Sequence, residues 1–310
     1  MDSDPHRSQP QENGIFKSGF VAIVGAPNVG KSTLLNQLLG EKVAIVTPKP
    51  QTTRKQIRGI LSGENYQIVF VDTPGIHESK RLLNKMLVKW AISALEDVDV
   101  VLFVVDVTRR RVCDELGILD LLRQVGRPVI LVLNKIDRVA KESLLPIIDS
   151  LKDAYPFEAI IPISAKYSDG VDIVLDEILR LLPEGPRFYE EDVKTDQMNE
   201  ELISELIREK IFLMAEEEVP YSTAVEVDRI EHDPERSRIK IFATIYVERP
   251  SQKRIIIGKD GRFIKKVGQM VREELERVFG KRVYLDLWVK VLKDWSKNEK
   301  SLKRLGLSFN

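Results

Sequence analysis

Cysteine is nearly absent from this chain: Cys113 is the only one in 310 residues. One thiol cannot form an intramolecular disulfide, so no covalent framework holds the fold and a reducing cytosol is the expected setting. Histidine is almost as scarce, and His6, His77 and His232 are too scattered to supply a His/Cys zinc ligand set. No run approaches the ~20 apolar residues of a membrane-spanning helix. The polar opening MDSDPHRSQPQENG lacks the apolar segment of a signal peptide, so residues 1–17 are expected to form a flexible tail. The rest is ordinary in composition, 43% hydrophobic and 31% charged, over a length that suits about two domains.

The formal net charge is zero, but the charges are not evenly placed. Residues 251–310 carry 16 Lys+Arg against 7 Asp+Glu, leaving 32 against 41 elsewhere. A basic end on an acidic remainder points to a polyanionic partner at that end, with a lysine-rich solvated surface as the plain alternative.

From Phe20 to about Leu182, short β-branched runs alternate with amphipathic stretches. The runs are FVAIV, VAIV at Val43, YQIVFVD, VDVVLFVVD, RPVILVLNK and EAIIPIS. RLLNKMLVKWAISALE, DELGILDLLRQV and GVDIVLDEILRLL read as helices. This rhythm predicts an α/β unit with a mostly parallel sheet flanked by helices, over residues 18–182. QIRGILSGENYQIVFVD is expected to fold as a hairpin with SGEN at its turn. Prolines, a glycine and acidic residues break the periodicity at 183–197, which is read as an interdomain linker. Residues 198–295 then follow an α, β, β, α, α, β order, and 296–310 form a basic extension.

GAPNVGKS, from Gly25 to Ser32, lies between the strand FVAIV and the helix TLLNQLLGEK, the context a phosphate loop requires. Gly25, Ala26, Pro27, Asn28, Val29, Gly30, Lys31, Ser32 and Thr33 are therefore the expected phosphate cradle. Lys31 can reach the β- and γ-phosphates, and Ser32 can place its hydroxyl on Mg²⁺. Asp72, Thr73, Pro74 and Gly75 end the strand YQIVFV; the aspartate can hold Mg²⁺ and the Gly75 N–H can sense a γ-phosphate. Asn134, Lys135 and Asp137 end the strand PVILVL. The Asp137 carboxylate can accept from guanine N1 and N2, whereas adenine would leave it unpaired, so guanine is selected. Ser164, Ala165 and Lys166 end AIIPI and can offer a backbone N–H to guanine O6. PQTTRK, at 50–55, carries threonines that can close over Mg²⁺ in the triphosphate state. Each motif alone could be an ordinary strand exit. Together, each at the carboxyl end of a strand, they describe one site.

In the second domain, Gly258 and Gly261 bracket Lys259 and Asp260 in a turn between two helices. Such a turn brings backbone N–H groups against nucleic-acid phosphates and clamps about four nucleotides. Arg254, Arg262, Lys265 and Lys266 surround it with positive charge. Ile256, Ile257 and Ile264 are expected to line an apolar groove beneath the bases.

With these motifs in place, the chain resembles the translation-factor-related GTPases and, within them, the Era family. The set GAPNVGKS, PQTTR, DTPG, NKID and SA covers the first domain, and IIIGKDGRFIK resembles the type II KH domain that Era proteins carry behind it. The resemblance implies an α+β KH domain, a Mg²⁺-dependent GTPase, and binding to the 3′ end of 16S ribosomal RNA in 30S subunit maturation. It also implies a cytoplasmic monomer with no DNA partner. Ile76 stands where Ras-like GTPases place a water-orienting glutamine, so the switch backbone and bound ions carry more of the catalysis. Asn28 matches the asparagine that binds K⁺ in related GTPases. Thr53 matches the Mg²⁺-ligating threonine of the TTR pattern, and is preferred to Thr52. The catalytic set expected is thus Asn28, Lys31, Thr53 and Gly75. Two other readings of the residues are a signalling GTPase that uses its basic end as a peripheral contact with anionic lipid at the inner membrane, and a non-enzymatic RNA scaffold with a structural nucleotide.

Overall fold

The computed structural model describes residues 15–47, 49, 53–54, 57–73, 75, 95, 97–109, 116–233 and 237–307. Thr52, Pro74, Ile76, Cys113 and the expected helix at 81–94 lie outside them, as does nearly all of the expected tail.

The first domain is built on strands β1 (Lys17–Val24), β2 (Ile57–Ser62), β3 (Tyr66–Asp72), β4 (Val100–Asp106), β5 (Val129–Asn134) and β6 (Ala159–Ile163). They form one sheet in the order β2-β3-β1-β4-β5-β6, parallel except for the β2–β3 hairpin. Every residue of VVLFVVD and VILVLN is buried, as central strands covered on both faces must be. Alternate residues of β1 serve opposite cores. Val21 and Ile23 pack toward α1 (Lys31–Leu39), whereas Ala22 and Val24 pack toward α2 (Leu116–Val125). α3 (Leu144–Leu151) is a helix the periodicity does not reveal, because Pro146 interrupts its apolar run; a proline in the first turn breaks no internal hydrogen bond. α4 (Val171–Leu181) completes the layer over α1.

VAIV is not a strand, contrary to its sequence pattern. The Val43 and Ala44 N–H groups donate to the Asn36 side chain at 3.0 and 2.9 Å, which removes them from ladder pairing. Its apolar residues are then divided: Val43 and Ala44 enter the first-domain core, and Ile45 enters the core of the second.

Residues 183–197 are not a loose linker but a strap on the first domain. The Phe188 and Tyr189 N–H groups donate to the buried Gln67 side chain, and the Phe188 ring lies 5.0 Å from Phe20. The Ile60 N–H donates to the Lys194 carbonyl, and Thr195 donates to the Arg58 carbonyl, so the strap covers the open edge of β2.

The second domain consists of α5 (Asn199–Met214), β7 (Ala224–Asp233), β8 (Arg238–Val247), α6 (Pro250–Ile257), α7 (Arg262–Phe279) and β9 (Arg282–Val291). β7 and β8 are antiparallel, β8 and β9 parallel, and the helices cover one face. The expected basic extension folds back: α8 (Glu299–Arg304) and the following turn bring Leu302, Leu305 and Leu307 against Trp295, Ala224 and Tyr246. Among the described residues no helix is long and apolar enough to cross a membrane.

Candidate nucleotide site and nucleic-acid surface

β1 delivers the chain into a loop whose conformation requires glycine. Gly25 has φ 148° and a Cβ there would meet the Val104 carbonyl oxygen at 2.2 Å; Gly30 has φ 103° and a Cβ would meet the Asn134 amide at 2.2 Å. Asn28 also takes a left-handed conformation and is exposed at the mouth of a cavity of about 380 Å³. Lys31, Ser32, Thr33, Thr53 and Gly75 line the same cavity, with Val46 and Thr47. The buried Lys31 ammonium donates to the Gly25 and Ala26 carbonyls, both at 3.0 Å, which aims it inside the loop. Gly75 presses on the loop so closely that a Cβ would sit 2.7 Å from the Pro27 nitrogen.

Three oxygen-bearing side chains from separate segments converge. Ser32 Oγ donates to Asp72 Oδ2 at 2.7 Å and lies 3.1 Å from Thr53 Oγ1, which is itself 3.4 Å from the same carboxylate oxygen. Burial raises the pKa of Asp72, and Lys31, Ser32 and Thr53 only partly oppose it. Its other oxygen, Oδ1, is buried with no hydrogen-bond partner. A desolvated carboxylate with an orphan oxygen and two adjacent hydroxyls fits a hard, oxygen-seeking divalent cation such as Mg²⁺. Thr73 is placed differently from the expectation: its hydroxyl is buried and donates to the Ile23 carbonyl, so that side chain supports the strand end.

The base side follows at the ends of β5 and β6. Asp137 is exposed, and one of its carboxylate oxygens accepts from Ser164 Oγ at 2.6 Å, leaving the other free to meet a base. Ala165 is buried and Lys166 exposed beside it. Asn134 is fully engaged by protein: its amide donates to the Val29 carbonyl at 2.8 Å and its Oδ1 accepts from the Lys135 and Ala165 N–H groups. It therefore ties three loops together and does not itself reach into the cavity. Lys135 bridges further, donating to the Asn28 carbonyl and to Asp106 at 2.7 and 2.6 Å. Burial works to raise the Asp106 pKa, but Lys135 and Thr108 outweigh it and hold the carboxylate below its usual range. Sequence reasoning missed Asp106, although it ends VDVVLFVVD just as Asp72 ends its own strand.

The segment after α1 connects this site to the second domain. Thr53 sits at the Ser32–Asp72 cluster, while the next residue, Arg54, is buried in the second domain. Its guanidinium donates to the Thr223 and Tyr221 carbonyls at 2.7 and 2.8 Å and lies 5.7 Å from the Phe212 and Trp295 rings. Burial, and then the charge of Arg208, lower the Arg54 pKa well below its ordinary value. Lys42 reaches Glu209 and Glu274 at 2.7 and 2.6 Å, and the Val46 N–H donates to Glu209. Nothing in the sequence marked these contacts, because they join residues more than 160 positions apart.

In the second domain, Gly258 and Gly261 both have positive φ, 72° and 73°, and Asp260 between them has φ 54°. Lys259, Asp260, Arg262, Lys265 and Lys266 are exposed around the turn, as is Arg254. A single acidic group, Asp260, lies 3.8 Å from Arg262 and dilutes the charge locally. The isoleucines divide. Ile256 is fully buried in the domain core, so it is not a groove residue; on a helix packed against a sheet the middle of three isoleucines points inward, leaving Ile255 exposed and Ile257 half-buried. The groove lies beside the turn, about 350 Å³ between Ile264, Gly268 and Arg272 on α7 and Tyr284, Leu285 and Leu287 on β9. The β9 wall was missed, and its signal was the strict alternation of VYLDLWV.

The model of the 50S ribosome-binding GTPase family matches residues 20–135, and the KH-domain model matches 218–296. The GTPase Era of Geobacter metallireducens is 49% identical over 291 residues, covering 94% of this chain and 98% of that protein. The chain belongs to the Era family of GTPases. The Era of Syntrophus aciditrophicus is 47% identical over 94% of this chain and 95% of its own length. A crystal structure of Aquifex aeolicus Era bound to GDP·AlF4⁻ superposes with TM-score 0.92 at 40% identity, over 95% of this chain and all of that one. A second Era structure, in complex with MgGDPNP and nucleotides 1506–1542 of 16S ribosomal RNA, superposes with TM-score 0.91 at 42% identity, over the same shares. As in the Era architecture that these matches define, a GTPase domain precedes a KH domain here.

Proposed function

We propose that this chain is a Mg²⁺-dependent GTP-hydrolysing switch whose KH domain binds the 3′ end of 16S ribosomal RNA during maturation of the 30S subunit. The observation that carries the reading is the adjacency of Thr53 and Arg54. One residue sits on the candidate metal cluster and the next is embedded in the RNA-binding domain. Mg²⁺, held by Ser32, Thr53 and Asp72, would supply positive charge against the phosphates. When Thr53 is held at that cluster, Arg54 is presented to the carbonyls at 221 and 223. When Thr53 is released, the second domain loses its buried latch. RNA then binds with an affinity set by the nucleotide state.

Linkage makes the coupling reciprocal: the factor by which GTP tightens RNA binding must equal the factor by which RNA tightens GTP binding. The test measures both affinities by titration, with a non-hydrolysed GTP analogue and with GDP, using an oligonucleotide of the 16S 3′ end. Two equal factors support the switch; factors of one overturn it. Hydrolysis proceeds without a side chain at Ile76 to orient water. Asn28, exposed at the cavity mouth, is the group for a K⁺ ion that adds charge near the transferring phosphoryl group. Turnover faster in K⁺ than in Na⁺ is expected. The protein would act as a cytoplasmic monomer. A lipid-bound reading has less support, since the apolar side of α8 is occupied by Trp295 and Tyr246.

A further inference from the structure

Along β9, outside the groove, lies a lane of aromatic and basic side chains that the nucleotide switch does not use. Strand alternation sends Val283, Leu285, Leu287 and Val289 toward the helices and Arg282, Tyr284, Asp286, Trp288 and Lys290 to the opposite face. Trp288 is 57% exposed and Tyr284 48%. Two large rings in water on one sheet face, ~13 Å apart along the strand, mark a binding surface more than a stability device. The C-terminal turn and helix do not cover them. Leu302, Leu305 and Leu307 pack at the Ala224–Tyr246 end, one row beyond the Thr244–Trp288 pair.

The chemistry of the lane suits a single nucleic-acid strand. Both rings present π-faces on which a base can stack, whatever its identity. Arg282 and Lys290 stand at the two ends, exposed and without an ion pair among the described residues. Acidic groups gather on the far strand: Glu226 and Asp228 accept from Tyr246 and Thr244, and Glu231 and Asp233 pair with Arg229 and Arg238. Charge across the sheet therefore runs from acidic at β7 to basic at β9, which confines a polyanion to the β9 side. Asp286 accepts from the Trp288 indole N–H at 3.2 Å, orienting the ring and offering its remaining lone pairs to base amino groups. Tyr284 also lines the groove, and its ring stands 6.3 Å from Phe242, so groove and lane are continuous around the free edge of β9.

We propose that this outer lane is a second RNA subsite. A single strand leaving the groove rounds the β9 edge, stacks bases on Tyr284 and Trp288, and sets phosphates at Arg282 and Lys290. The proposal rests on the groove being an RNA site, which holds only about four nucleotides.

The test compares an RNA of about four nucleotides, enough for the groove, with one of about twelve, within the range of an extended single-strand site. Both come from the 16S 3′ end and are titrated against the full chain. Loss of one stacked base predicts that Trp288→Ala or Tyr284→Ala weakens the long RNA about 10-fold or more and leaves the short one unchanged. Trp288→Phe, which keeps a stacking face, should restore most of the affinity. Arg282→Ala should lower the salt dependence of long-RNA binding by about one unit of slope, with no effect on the short RNA. Gly258→Ala, which distorts the groove turn, should weaken both. If the alanine variants at 284 and 288 bind the long RNA as the unmodified protein does, the lane is not a subsite, while the groove reading stands. If the unmodified protein binds neither RNA, the groove reading and the lane fall together.

Discussion

At the residue scale, the site depends on a few groups whose partners leave them one task each. Asp137 has one oxygen engaged by Ser164 and one available, the arrangement a guanine reader needs. Asp137→Asn should weaken GDP binding by ~100-fold or more, because the amide N–H would then face the guanine donors. Binding of xanthosine diphosphate, which presents an acceptor at that position, should improve; isothermal titration with both nucleotides reads the exchange. Arg54 is the corresponding residue on the other side of the switch. Replacing it with alanine leaves the Thr223 and Tyr221 carbonyls unpaired in a buried setting, a cost of about 1–3 kcal/mol to the interdomain contact. GTP affinity should remain nearly unchanged, while the ratio of RNA affinities in the GTP-analogue and GDP states should fall toward about one. Lysine should not rescue it, since a point charge cannot span carbonyls arranged for a planar fork.

At the scale of elements, the turn between α6 and α7 couples backbone geometry to binding. A Cβ at Gly258 would meet Phe263 Cβ at 2.8 Å and its backbone nitrogen at 2.9 Å, at a φ that L-residues avoid. Gly258→Ala should therefore move the turn rather than simply strain it. RNA affinity should drop at least ~10-fold, with a loss of about 1–2 kcal/mol in thermal unfolding. If unfolding shifts and RNA affinity does not, the turn is a structural corner only. How legible such elements are depends on periodicity. The strand-ends of β3, β5 and β6, and the glycine turn, are visible because local pattern and local chemistry agree. VAIV misleads because its four residues look like a strand while Asn36 and Glu209 take their N–H groups. The 183–197 strap misleads in the opposite sense: proline and glycine break its periodicity, yet Gln67 and Arg58 supply it with partners from the far side of the domain.

At the scale of the whole molecule, the two domains are joined by a charged interface as well as by chain continuity. Lys42 and Lys210 converge on Glu209 and Glu274, linking the end of α1 to α5 and α7. Burial alone would raise the Glu274 pKa, but the hydrogen bonds from Lys210 and Lys42 outweigh it and hold it below the ordinary 4.5. A carboxylate with a lowered folded value stabilises fully above its unfolded pKa, and that stabilisation disappears as pH falls through the folded one. Acidification below about pH 4.5 should thus loosen the contact between the domains. Glu274→Gln should flatten that part of the profile, measured as thermal unfolding against pH; an unchanged profile would remove Glu274 from the interface.

The sequence by itself determined the chemistry: a phosphate loop, a guanine reader and a glycine turn are short motifs whose function lies in backbone conformation and in neighbours a few residues away. It also determined the order of the two domains and the basic end. Only the tertiary structure decided which residues those motifs recruit from afar. Asn134 became a rivet between loops, Ile256 went to the core and Leu287 to the groove wall, and Arg54 crossed from one domain into the other. These assignments depend on which faces are buried against which, and burial is a property of the assembled chain that no local pattern carries.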